Sequence, residues 1–370
     1  LIISMNIELY SIRGFTGNAL KKKLEQVLAA HHMPYTIIEI NHVDQFIKAG
    51  LASVPAFRIG NKVIQHPHEG DVDETVAHVM DYILTEHINA ILVPVDFSEE
   101  SNLAISYAGM MAHHLGYSLT LAHVHQTLYD PISAGALDVQ FLQDANKGLL
   151  EMVDKLNAEH ATKGINVHVT AHLEVGETMS SLIELLERGR FELMVMATKA
   201  TDNAIRRLFG TVSSGVSRHS NKPVIVVPPQ TEIKFPGKVV VGFTEELLTE
   251  GTLEYILSFG SKYNVFFDFV HVTDDHHEFD ILKSRLYEKL AINRPQLTGF
   301  NIRSIQPGEV KIHEVLFKYA VEARASMVIL ISHHRTFMEN ITHSSVTKKA
   351  LLNPSVPLMI IHTPVSKVKH

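Results

Sequence analysis

Ile91-Leu92-Val93-Pro94-Val95-Asp96-Phe97-Ser98 is an apolar run that ends in a carboxylate and a helix-capping serine. Placed 148 residues further along, the same frame reads Val239-Val240-Val241-Gly242-Phe243-Thr244. The alignment holds without a gap over residues 91–124 and 239–272, carrying Leu121-Ala122-His123-Val124 onto Phe269-Val270-His271-Val272. A later pair follows: Gly210-Thr211-Val212-Ser213 and Ser344-Ser345-Val346-Thr347 each precede a proline-initiated apolar run, Pro223–Val227 and Pro357–Ile361. A repeat of this length is a duplicated domain and not a solenoid unit.

Working outward from the first stretch, strands and helices alternate. Ala90–Val95 is a buried strand, and Ser98 caps a helix with Leu103, Ala104, Tyr107, Ala108, Met111 and Leu115 on one face. Ser118–His123, Val167–Leu173, Glu192–Ala197 and Val224–Val227 read as strands. Helical patterns through Phe141–Leu156, Met179–Leu186 and Thr211–His219 separate them. Continuous apolar strands alternating with helices imply a parallel sheet covered on both faces. Pro228-Pro229 to Pro236-Gly237 is a linker, after which the order repeats. The expected domains are therefore 5–86, 88–229 and 238–364.

Composition describes an ordinary globular chain: 370 residues, 45% apolar and 20% charged. No apolar run approaches the roughly 20 residues that span a bilayer, so no membrane partner is expected. Zero cysteines removes disulfides, thiolate metal sites and thiol nucleophiles together, and the expected location is cytoplasmic. The opening Leu1–Ser4 lacks the basic start of a signal peptide, and Met5 reads as the natural start. A net charge of −7 offers no global attraction to phosphate backbones, so no nucleic acid is expected. His66-x-His68 and His123-x-His125 place imidazoles on one strand face, but no larger ligand pattern joins them and no metal is expected. No Ser-His-Asp arrangement, acid/base carboxylate pair or complete P-loop is visible, so no catalytic residue is assigned.

Residues 5–86 resemble a glutaredoxin- or thioredoxin-like domain. Tyr10-Ser11 ends a first strand, Ser53-Val54-Pro55 follows a second at Tyr35–Ile40, and Gly60-Asn61 turns a hairpin. The resemblance implies a cis Val54–Pro55 bond, with Phe15 and Asn18 where the family carries thiols. Disulfide chemistry is thereby excluded, leaving a groove for a protein partner.

Val-Pro-Val-Asp-Phe-Ser (93–98), Ala-His-Val (122–124), Gly176-Glu177, Gly308-Glu309 and the run from Met196 to Ser213 resemble the universal stress protein family over residues 88–364. That resemblance implies an α/β fold of two doubly wound, Rossmann-like domains of the adenine nucleotide alpha hydrolase type, each with a five-stranded parallel sheet, paired through their last strands as an intramolecular pseudo-dimer. Further oligomerisation is compatible with it. Carried over by position, nucleotide contacts fall on Pro94, Val95 and Asp96, on Val124 and Met196 near the base, and on Ala197, Ala200, Gly210, Thr211, Val212 and Ser213 around phosphates.

Physics supports the location independently, because ligands of open parallel sheets bind beyond the carboxyl ends of strands. A helix opened by Gly-Thr-Val-Ser also presents free N–H groups to an anion. Ala197 and Ala200 replace family glycines and narrow the loop. Lys199, Arg206 and Arg207 either compensate or are solvated charges. Asp96 either meets a ligand or caps the next helix. In the second copy Thr244 replaces Asp96, Phe243 is expected to project near the base position, and no nucleotide is expected.

Three functions compete. The leading one is a non-enzymatic stress-response protein that binds ATP or a related adenine nucleotide in its first repeat only. The alternative is a scaffold with every nucleotide site lost and the N-terminal groove holding a partner. Slow ATP hydrolysis comes third.

Overall fold

The structure, a computed structural model, describes residues 5–12, 15–30, 35–51, 53–59, 62–66, 71–86, 89–126, 134–188, 191–198, 211–249, 251–260, 264–292, 299–308, 312–332 and 356–362. The chain divides into two compact units, Leu1–Ile88 and Asn89–His370.

In the first unit, β1 (Met5–Tyr10), α1 (Phe15–Ala30), β2 (Tyr35–Ile40), α2 (Val43–Lys48), β3 (Ala56–Ile59), β4 (Lys62–Gln65) and α3 (Val72–Glu86) follow in turn. The sheet order is β2-β1-β3-β4. Strand β1 runs parallel to β2 and antiparallel to β3, which is antiparallel to β4. Leu20, Leu24 and Leu28, one turn apart on α1, bury against Ile7, Leu9 and Phe57 on the sheet and Val79 and Ile83 on α3. The Asp71 carboxylate accepts the Asp73 amide at 3.2 Å, the cap expected for α3. The Val54–Pro55 peptide is cis. Helix α2 was not legible in the sequence: His42 makes no side-chain cap, and only Phe46 of its six residues is buried.

The second unit begins with β5 (Ala90–Pro94), α4 (Glu99–Leu115), β6 (Ser118–His125), α5 (Ala134–Lys163), β7 (Val169–Val175), α6 (Thr178–Arg188), β8 (Phe191–Ala197), α7 (Thr211–His219) and β9 (Val224–Val227). It continues with β10 (Lys238–Gly242), α8 (Thr252–Gly260), β11 (Phe266–Val272), α9 (His276–Ile292), β12 (Gly299–Ile305), α10 (Ile312–Glu322), β13 (Met327–Ser332) and β14 (Leu358–His362). One ten-stranded sheet runs through it in the order β12-β11-β10-β13-β14-β9-β8-β5-β6-β7. Within each set of five, all neighbours are parallel. The two sets meet at a single antiparallel contact, β14 on β9, with Leu358 opposite Val226, Met359 opposite Ile225 and Ile360 opposite Val224. Each of these two strands would otherwise present an open edge.

Local chemistry fixes the first crossover. Ser98 caps α4 by accepting the Ser101 amide at 3.3 Å. Gly116 ends the helix in the left-handed region (φ 71°), where its N–H reaches the Ala112 carbonyl. Tyr107, Ala108, Met111 and Ala112 turn inward to Ile91, Val93, Leu121 and Val195. Strand β7 starts two residues later than the sequence pattern suggests. There the Asn157 side chain takes the Val169 amide and gives to its carbonyl, both at 3.0 Å, while His160 Nδ1 bonds the Val167 carbonyl at 3.1 Å.

Candidate functional site

Strands β5, β6 and β8 end on one side of the sheet, where the order reverses around β5, and there a cavity of about 350 Å³ opens. Of the residues picked out by sequence, Pro94, Val95, Asp96, Val124, Met196, Ala197, Val212 and Ser213 line it. Thr211 is the first residue of α7. Ala200 and Gly210, with Lys199, Arg206 and Arg207, lie outside the described residues.

The wall also holds residues the sequence reading missed: Ser98, Glu100 and Ser101 from the start of α4, Ala122 and His123 from β6, and Thr178 and Leu182 from α6. A signal existed for some of them. Ser98 and Ser101 are spaced as a first helical turn directly after Asp96, and Thr178 opens α6 directly after Gly176-Glu177.

Asp96 is held in place by its own neighbours. Its Oδ1 accepts from the Ser98 amide at 3.2 Å, from the Ser101 hydroxyl at 2.6 Å and from the Ser98 hydroxyl. The carboxylate therefore organises the start of α4 while its exposed position also faces the cavity. Asp96 is not itself the cap: Ser98 takes the α4 amide, and Asp96 braces the Ser98 and Ser101 hydroxyls. Val95 has both main-chain groups engaged: its N–H donates to the Ala122 carbonyl at 2.8 Å, and its carbonyl accepts from His123 Nδ1 at 2.8 Å. A carbonyl can only accept, so Nδ1 is the donor in this bond. Phe97 adopts φ 60° in the β5–α4 turn, its ring centred 4.9 Å from that of His123.

On the α6 side, the Glu177 carboxylate accepts the amides of Ser180 (2.7 Å) and Met179 (3.1 Å) and the Ser180 hydroxyl (2.8 Å), which lowers its pKa below the usual range. Thr178 accepts from Gln126 Nε2 at 2.7 Å, tying the end of β6 to α6. The charges on the described wall are the carboxylates of Asp96 and Glu100. The hydroxyls of Ser98 and Ser101 are engaged with each other and with Asp96, so this arrangement can bind and orient a polar ligand.

The matching position at the end of β10 is built differently. A Cβ on Gly242 would meet Leu316 Cδ1 at 2.9 Å and Leu330 Cδ2 at 3.1 Å, so apolar side chains occupy that space. Phe243 stands where Val95 stands in the first half. Its ring is 2% exposed and packs in the core at 6.4 Å from Phe269 and 5.5 Å from His271. The histidine bond itself is shared, His271 Nδ1 reaching the Phe243 carbonyl at 2.7 Å. Ser344 and Ser345 lie outside the described residues.

Among the described residues no group of three or more His, Asp or Glu is placed to hold a metal ion. His66 is buried and bonded to the Thr75 hydroxyl at 2.6 Å, and His68 lies outside the described residues. No helix of the described residues is long and apolar enough to cross a membrane.

The universal stress protein family model matches residues 87–228, and this segment is a universal stress protein domain. Among solved structures, a universal stress protein from Archaeoglobus fulgidus DSM 4304 is similar at 19% identity and a TM-score of 0.56, covering 75% of this chain and 97% of that one. A putative universal stress protein from Pseudomonas aeruginosa UCBPP-PA14 aligns at 10% identity over 75% of this chain and 94% of that one, with a TM-score of 0.45. A universal stress protein in complex with cAMP aligns at 23% identity over 38% of this chain and 97% of that one, with a TM-score of 0.31. No curated protein matches the chain. The first of these likenesses establishes an α/β fold of the universal stress protein type.

Proposed function

We propose that, with a universal stress protein domain at residues 87–228, the chain is a non-enzymatic cytoplasmic stress-response protein that binds ATP or a related adenine nucleotide in its first half only. The observation that carries this reading is the cavity itself. Residues from β5, β6 and β8 converge with Val212 and Ser213 from the first turn of α7, so a planar base has an apolar floor and an anion faces a helix N-terminus. Pro94, Val124, Met196 and Leu182 form the floor, and Ser213 and the α7 amides serve phosphate. Asp96 orders the α4 side through Ser98 and Ser101. The second half, in which Thr244 stands in place of Asp96, acts as its structural partner across β9 and β14.

The N-terminal unit is read as thioredoxin-like on its β2-β1-β3-β4 order and cis Val54–Pro55, and as a partner-binding module without redox chemistry. That unit also supports the second reading, a scaffold whose nucleotide site is lost. Calorimetry with ATP, together with mass spectrometry of small molecules released from natively purified protein, separates the two. ATP binding that Gly210→Asp abolishes supports the first reading, since the change sets a carboxylate against phosphate. A wild-type protein that releases no nucleotide and takes up none leaves the scaffold.

A further inference from the structure

We propose that His362, the last residue of β14, is a positioning residue for the nucleotide cavity of the other half: it holds the carboxyl end of α7 and thereby the first turn that lines the cavity. The inference rests on the nucleotide reading above and asks what the second half contributes to it. Antiparallel pairing sets Ile360 opposite Val224, so β14 runs on past the start of β9, the point in the chain where α7 has just ended. There His362 Nε2 lies 2.5 Å from the Ser217 carbonyl oxygen. The carbonyl accepts, so the ring nitrogen donates.

Ser217 belongs to the last turn of α7, whose carbonyls have no partner within the helix and form the negative end of its dipole. A ring N–H is well suited to that place. Ser217 is wholly buried, so water is poorly placed to replace the histidine.

Helix α7 depends on such contacts. It has nine residues, fewer than the roughly 12–15 an isolated helix needs to persist in water. Its middle lies hard against α6, where a Cβ on Gly215 would come within 2.1 Å of Met179 Sδ. His362 fixes its end. Two anchors then set the direction of the first turn, where Val212 and Ser213 line the cavity. Through this bond the second half supplies a part to the cavity of the first.

The test uses the full chain and three proteins: wild type, His362→Leu, which fills the space without a donor, and His362→Gln, which keeps one. ATP affinity by calorimetry and amide hydrogen exchange of α7 in the ligand-free protein are both measured. His362→Leu is expected to weaken ATP binding about tenfold and to speed α7 exchange by a similar factor, the scale of one sheltered hydrogen bond. His362→Gln is expected to restore most of both. If His362→Leu matches wild type in affinity and exchange, the proposal is overturned. If α7 exchange responds but wild type binds no ATP, the clamp stands and the nucleotide reading fails. A variant in which the whole unit exchanges faster, and not α7 selectively, assigns His362 to the seam alone and also overturns it.

Discussion

At the end of β5 the chain reads Pro94-Val95-Asp96 and borders a cavity; at the end of β10 it reads Gly242-Phe243-Thr244, and Leu316 and Leu330 close on Gly242. The two halves otherwise share strand order, the parallel sense of every internal neighbour and the histidine bond to the strand-end carbonyl, 2.8 Å in one and 2.7 Å in the other. What differs is chemistry at the crevice. In the first half Asp96 gathers Ser98 and Ser101 into a capped α-helix. In the second, Thr244 makes no side-chain cap and leads only to a four-residue 3-10 turn, Glu245–Leu248. A binding crevice is thus set by a few positions at strand ends, while apolar periodicity along the strands keeps the frame.

The largest effect is expected where the halves meet. Met359 is wholly buried and lies opposite Ile225 across the seam. Aspartate there buries an unpaired charge in the middle of the sheet, at a cost of about 3–5 kcal/mol. Because one core runs on both sides of the seam, from Ile91 and Leu193 to Phe267 and Ile329, residues 89–370 are expected to unfold together. Urea unfolding of Met359→Asp should show a single transition moved to lower denaturant. Two separate transitions, with only one displaced, would mean the halves are stable alone and the comparison concerns two independent domains.

A smaller effect tests the packing at the two strand ends. Alanine at Gly242 sets a methyl against Leu316 and Leu330 and is expected to cost about 1–3 kcal/mol through overpacking. Alanine at Pro94, which borders open space, should cost under about 1 kcal/mol. Thermal unfolding of both variants reads the contrast. Equal losses would show that the two strand ends are packed alike.

Much of the frame was legible because it rests on periodicity and punctuation. Continuous apolar strands, the Ser98 cap, the Asp71 cap and the proline-initiated strands at Val224 and Leu358 all follow from local rules. Part of the cavity wall was legible as well, since strand-end residues such as Asp96 and Met196 can be placed from the strands alone. The rest depends on neighbours distant in sequence. Phe97 in the left-handed region, Phe243 turned into the core, Thr178 brought in by α6 and His362 reaching Ser217 across 145 residues have no local pattern. Helix α2 escaped for the opposite reason: it is too short for periodicity to register.

The smallest expected effect concerns β11 and its counterpart β6. Thr120 in β6 shares a hydrogen bond with Thr170 in β7 at 3.0 Å, a neutral pair. The equivalent of Thr120 in β11 is Asp268, wholly buried. Asp268 accepts Arg303 Nε at 3.0 Å and the Tyr319 hydroxyl at 2.6 Å, with Lys238 Nζ 3.7 Å away. Burial, then the bond to Asp268, pushes the Tyr319 pKa from 10.0 up to about 12. A phenol whose folded pKa is raised stabilises the fold fully below its unfolded pKa. That contribution is lost as pH rises from about 10 toward 12, because the unfolded chain gives up the proton first. Tyr319→Phe should therefore be less stable than wild type at pH 8, by about 1 kcal/mol for one hydrogen bond. The gap should close as pH approaches 12. Urea midpoints for the two proteins at pH 8, 10 and 11.5 read it directly. A gap that stays constant across that range would place Tyr319 in the packing alone, and the charged cluster of the second half would then differ from the threonine pair of the first only in which neighbours it holds.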